Sequence, residues 1–204
     1  MNRYTMPRLK CILTAVVASS LMAGCSDRVP TPDSPPPLEG AALGGDFTLT
    51  GESGEPVSWS DFDGQYRTIY FGYTFCPDVC PVDQQRAMAG LKQFEKAHPE
   101  RAAKVQPLFV GVDTERDTPE VLREFTDNFH PRLIGMTGDK ETLTEAAAKF
   151  AASFSKGEEA PGGGYLVNHT NVTLLFGPSG QPIAMLPTDQ GPEAVAAELE
   201  KWVH

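Results

Sequence analysis

The sequence predicts an α/β fold in which a central mixed sheet is flanked by helices and preceded by an N-terminal hairpin. Three observations carry that reading. Short runs of β-branched and aromatic residues alternate with helix-period segments along the chain. Two of the runs, 67–73 (RTIYFGY) and 105–112 (VQPLFVGV), are apolar enough to be strands buried on both faces. The chain then closes on a strand–turn–strand pattern followed by one more helix.

The elements follow in order. Phe47–Thr50 and Pro56–Trp59 read as a short hairpin about Gly51 and Gly54. Arg67–Tyr73 is the first buried strand. Val82–Ala97 is a helix that turns Met88, Leu91 and Phe94 inward. Val105–Val112 is the second buried strand. Thr118 can cap the next helix, Pro119 suits its first position, and Val121, Leu122 and Phe125 share one face. Leu133–Met136 is a short strand. Asp139 caps a helix reaching about Ala152, with Leu143, Ala147 and Phe150 inward. After the Gly-rich segment 160–164 come strands at 165–167, 172–176 and 182–185. The last two are joined by the turn Gly177–Gly180, and Pro192–Trp202 is the final helix.

The ends of the chain set its organisation. Arg3, Arg8 and Lys10 form a positive start, and the apolar stretch from Cys11 to Met22 is too short to span a bilayer. It ends in Leu21-Met22-Ala23-Gly24-Cys25, which resembles the bacterial lipobox. That resemblance implies a signal peptide over 1–24, cleavage before Cys25 and lipidation of Cys25. The expected product is a membrane-anchored lipoprotein facing the periplasm or the cell exterior. Residues 26–46 carry Pro30, Pro32, Pro35, Pro36 and Pro37 and are expected to form an extended, uncored linker. The folded domain is expected over 47–204. Beyond the leader, 14 basic residues face 27 acidic ones, which argues against a nucleic-acid partner. No amphipathic stripe is left over to demand a dimer, so a monomer is expected.

Processing accounts for two of the four cysteines, Cys11 and Cys25. Cys76 and Cys80 remain. A bridge between residues four apart staples little of a fold, so the pair points to chemistry. It lies in Thr74-Phe75-Cys76-Pro77-Asp78-Val79-Cys80-Pro81, between a buried strand and a helix. Sites gather at that edge of open α/β sheets, and a helix N-terminus favours thiolate. Positions i and i+4 share a helix face, so two thiolates there could pinch one metal ion or close a strained disulfide. Three intervening residues, rather than the two usual in redox oxidoreductases, favour metal. A third ligand is then needed. His98 and His130 each precede a proline and read as surface helix stops, and His204 is terminal. His169 follows the Gly-rich segment and precedes the predicted strand 172–176, and it is the candidate, the alternative being a loop histidine bonded to backbone. Two sulfurs and an imidazole suit copper(I) or copper(II). Zinc could use them too, although structural zinc usually takes four protein ligands. A peroxidase reading fits poorly, because Thr74 is two residues before Cys76 rather than three.

The segment Tyr70–Pro81 (YFGYTFCPDVCP) resembles the signature of the Sco/SenC family of copper-binding, thioredoxin-like proteins. The similarity continues at 111–120 (GVDTERDTPE) and 165–170 (YLVNHT), and covers the chain from about Phe47 to its C-terminus. It implies a thioredoxin-like fold and copper held by Cys76, Cys80 and His169. It also implies delivery of copper to the binuclear centre of cytochrome c oxidase, or to another periplasmic copper protein. The alternative is a redox pair, Cys76 and Cys80, that keeps a partner's cysteines reduced. The family often has Asp before the histidine, where this chain has Asn168. Asp78 is expected to cap the helix, and 113–120 to form only a turn and the next helix cap.

Overall fold

The computed structural model describes residues 1, 34–159 and 164–204. The expected signal peptide, Cys25 and most of the Gly-rich segment lie outside the described residues. The core is a seven-stranded mixed sheet built from β1 (Thr48–Gly51), β2 (Pro56–Ser58), β3 (Tyr66–Gly72), β4 (Val105–Gly111), β5 (Ile134–Thr137), β8 (Thr173–Phe176) and β9 (Pro182–Leu186). Its order is β2-β1-β5-β4-β3-β8-β9. Strands β3, β4 and β5 run parallel, and the flanking pairs are antiparallel. Two further strands, β6 (Phe154–Glu159) and β7 (Tyr165–His169), form a separate antiparallel pair.

Strand β3 lies inside the sheet between β4 and β8, and all seven of its residues are buried. Its alternation sends Tyr70 to one face, where it stacks on Phe109 of β4, and Phe71 to the other, against Phe150. Phe47, Trp59, Phe150 and Phe176 complete that second face as edge-on or tilted pairs 5.0–5.8 Å apart. The helices are α1 (Val79–Ala97), α2 (Pro99–Ala102), α3 (Pro119–Asp127), α4 (Lys140–Lys149) and α5 (Pro192–Trp202). Helix α1 meets α5 at Gly90, where an added Cβ would stand 2.6 Å from the Val195 side chain. As expected, Thr118 and Asp139 cap α3 and α4, their side chains accepting from Val121 and Thr142 N–H groups.

The elements of the fold depart from the sequence expectations at several points. Helix α1 starts at Val79, so it includes Cys80. The helix capped by Asp139 ends at Lys149. Strand β6 lies where no strand was expected: after Phe154 it reads Ser-Lys-Gly-Glu-Glu, and its side chains do not alternate between buried and exposed. Finally, the described part of the proline-rich stretch rests on the domain. The Leu38 N–H donates to the Ile183 carbonyl at 3.0 Å and the Gly44 N–H to that of Lys149 at 2.7 Å. Leu38 and Leu43 pack half-buried on the core. Packing therefore begins upstream of Phe47.

Candidate metal centre

Strand β3 ends at Gly72, the chain turns through 73–78, and α1 begins. The Cys76 N–H closes the turn on the Tyr73 carbonyl at 3.4 Å. Cys76 Sγ in turn accepts the Cys80 N–H at 3.4 Å, so a sulfur receives one of the unpaired amides at the start of α1. Asp78 does not cap the helix as expected; its side chain makes no cap hydrogen bond. Both cysteines are free thiols, with Cys76 8% and Cys80 0% exposed.

His169 is the last residue of β7. Its Nε2 lies 3.1 Å from Cys80 Sγ. One donor atom from each of Cys76, Cys80 and His169 falls within 4.8 Å of the others. The His169 Nδ1 is 3.2 Å from the Thr170 carbonyl oxygen. A carbonyl only accepts, so Nδ1 carries the proton in that bond and the Nε2 lone pair faces the sulfurs. Burial, and then proximity to Cys76, pushes the Cys80 thiol well above its ordinary range. A protonated Cys80 can donate to Nε2, and that proton must leave before the sulfur ligates a metal. The rings of Tyr70 and Tyr73 meet the imidazole edge-on, at 5.9 and 5.7 Å.

Behind the turn, residues 113–120 do more than cap a helix. Asp117, 4% exposed, accepts from both the Thr74 N–H and hydroxyl through Oδ1, and from the Asp113 N–H through Oδ2. Burial pushes its carboxyl above the usual range against the pull of those donors. Asp113 accepts from Arg116 and from the Tyr165 hydroxyl, and Arg116 lies 3.8 Å from the centre of the Tyr165 ring. This network ties the Cys76 turn to the β6–β7 pair that carries His169. Neither residue spacing nor periodicity marks it in the sequence, although GVDTERDTPE is one of the resemblance motifs.

The other histidines stay apart from the thiols. His98 pairs with Glu200 at 3.1 Å. His130 is not a surface helix stop: it is 3% exposed, sits 3.2 Å from Glu95 through Nε2, and accepts the Arg132 N–H at Nδ1. Asn168 is exposed, with Nδ2 3.5 Å from the Ser155 hydroxyl.

Motif order, fold and donor geometry thus agree, and the sequence pattern of the SCO1/SenC family matches residues 35–204. The chain belongs to the SCO1/SenC family. It is 34% identical over 168 residues to mitochondrial protein SCO2 of Saccharomyces cerevisiae, an alignment covering 79% of this chain and 54% of that one. It is 38% identical over 159 residues to protein SenC of Rhodobacter capsulatus, covering 76% and 68%. The crystal structure of Arabidopsis thaliana ScoI with copper bound superposes with a TM-score of 0.72 at 31% identity, covering 78% of this chain and 97% of that one. The chain spans about half the length of several curated relatives that it matches. Its central mixed sheet with flanking helices is the thioredoxin-like fold that the SCO1/SenC motifs implied.

Proposed function

We propose that this SCO1/SenC chain binds copper through Cys76, Cys80 and His169 and delivers it to the binuclear copper centre of cytochrome c oxidase. The observation that carries the reading is the meeting of two sulfurs and an imidazole nitrogen within 4.8 Å. That soft S₂N set fits copper, and it falls one ligand short of an ordinary structural zinc site. Copper is the cargo and supplies the bond that an acceptor's ligands replace. Cys76 offers its sulfur at the start of α1. Cys80 gives up its proton on loading, and His169 presents Nε2 because Nδ1–H is held by Thr170. A buried sulfur pair keeps water from the cargo until an acceptor arrives.

Titration of the reduced protein with copper(I) against a competing chelator tests this, with His169→Ala beside wild type. The wild type should bind one copper, and His169→Ala should lose more than the roughly 10–100-fold that a supporting residue costs. Unchanged affinity in His169→Ala would sink the site.

A second reading rests on the two free thiols in one turn. They could reduce a partner disulfide, two electrons and two protons passing to the partner as Cys76 and Cys80 join. Turnover kept in His169→Ala and lost in either cysteine variant would favour it over delivery. We place the chain as a monomer on a membrane, anchored through lipid on Cys25 and facing the periplasm or cell exterior. Loss of lipid labelling in Cys25→Ala tests the anchor.

A further inference from the structure

We propose that Tyr70 and Asp83 are positioning residues of the metal centre: Asp83 anchors the Tyr70 phenol, and the anchored ring fixes where His169 and Cys80 meet. The inference rests on the copper reading above for its metal-bound tests, though not for its copper-free one.

Asp83 lies three residues after Cys80 in α1, so the two share a helix face. It is 6% exposed and, among the described residues, in no ion pair. Burying a carboxyl group is costly unless it is hydrogen-bonded, and an apolar residue would serve packing better. What Asp83 receives is one bond, from the Tyr70 hydroxyl to Oδ2 at 3.1 Å. Tyr70 is 1% exposed. Its hydroxyl is the donor in that bond.

The ring is held on the remaining sides as well. Phe109 stacks on it at 6.1 Å. Gly72, two residues along the same strand face, leaves room beneath it. A Cβ there would stand 2.6 Å from Tyr70 Cε1 and 3.2 Å from Cys80 Sγ. The ring and the sulfur therefore share the space over Gly72. With one edge on His169 and the Cys80 sulfur beside it, the ring cannot rotate or slide without moving a ligand. Outer groups of this kind orient metal-binding imidazoles and typically affect affinity about 10–100-fold.

Three variants test the proposal. Tyr70→Phe keeps the ring and loses the anchor. Asp83→Leu removes the acceptor. Asp83→Asn keeps an acceptor oxygen without the charge. In the copper-free reduced protein, imidazole ¹⁵N and ¹H shifts of His169 report tautomer and ring position. Tyr70→Phe and Asp83→Leu should move or broaden them, and Asp83→Asn should restore them. Copper(I) competition should show affinity down about tenfold in the first two and near wild type in the third. The sulfur-to-copper(II) absorption band should shift in parallel. Thermal unfolding run beside these separates fold from site. Lost stability with unmoved His169 signals would overturn the proposal, as would Asp83→Asn behaving like Asp83→Leu. Should the wild type bind no copper, the copper reading fails, and the His169 signals still decide this one.

Discussion

Asp117 Oδ1 accepts both the Thr74 backbone N–H, at 3.0 Å, and the Thr74 hydroxyl, at 2.7 Å. One carboxylate oxygen thereby ties the loop after β4 to the residue two before Cys76. Asp117→Ala would leave that N–H and the Asp113 N–H without their acceptor, at a cost of about 1–3 kcal/mol each. Thr74→Val removes only the hydroxyl and should cost about 1 kcal/mol. Urea unfolding of the copper-free protein reads both. Copper affinity should fall further in Asp117→Ala, because the Cys76 turn loses its backbone tether. Equal losses in the two variants would remove the special role of the backbone bond.

Protonation of Cys80 sets two pH effects. Loading copper displaces a thiol proton, so apparent affinity should rise with pH across the neutral range. Calorimetry in buffers of different ionisation enthalpy counts the protons released. Stability of the copper-free protein runs the other way. The folded thiol is raised above its ordinary value of 9.0, so at alkaline pH the folded state holds the proton that the unfolded state has lost. Stability present below about pH 9 should therefore decline as pH rises beyond it. The Tyr70 phenol, also raised, adds to the decline only above its own ordinary value of 10.0. Cys80→Ser should flatten the slope between those two values. An unchanged slope there would assign it to another group.

Arg67 offers a contrast at the other end of β3. It is 0% exposed and donates to the carbonyls of Phe62 and Pro178 and to Asp63, with its guanidinium 4.5 Å from the centre of the Trp59 ring. Asp63 is 71% exposed, so removing Arg67 strands no buried charge. Arg67→Met should cost about 1–3 kcal/mol through the hydrogen bonds it loses, while the Phe62 and Pro178 carbonyls keep the Gln65 and Gly64 N–H groups. Copper affinity of the folded fraction should not change. A fall in affinity would mean that strain travels along β3 to the site.

The main sheet was legible because its signals are local. β3 and β4 are dominated by apolar and aromatic residues, and the caps at Thr118 and Asp139 stand at their helix starts. Strand β6 was not, because its largely exposed side chains leave no periodicity to read. The thiol pair was legible from cysteine arithmetic, whereas His169 needed the family motif, since a strand-end histidine has no spacing relation to Cys80. His130 misled for the opposite reason: His-Pro reads as a surface stop, yet Glu95 and the Arg132 amide satisfy the ring in the interior. Asp117, Tyr70 and Asp83 act through contacts between separate elements, which only the folded chain displays.

Gly72 and Gly90 separate crowding of the site from crowding of the fold. At each, an added Cβ would stand 2.6 Å from a neighbouring side chain. Gly72→Ala would press on Tyr70 and Cys80, and Gly90→Ala on Val195 and the Pro192 carbonyl, where α1 meets α5. Overpacking of this kind costs about 1–3 kcal/mol, so both variants should lower the midpoint of denaturant unfolding. Their effects on the metal centre should differ. Gly72→Ala displaces the ring that borders His169 and the sulfur that ligates, so its copper affinity should fall about tenfold or more. Gly90→Ala sits two turns or more along α1 from Cys80 and should bind as wild type once folded. If both variants lose affinity in proportion to stability, the space over Gly72 serves packing alone. If only Gly72→Ala loses it, the missing side chain at position 72 is part of how the chain holds its metal.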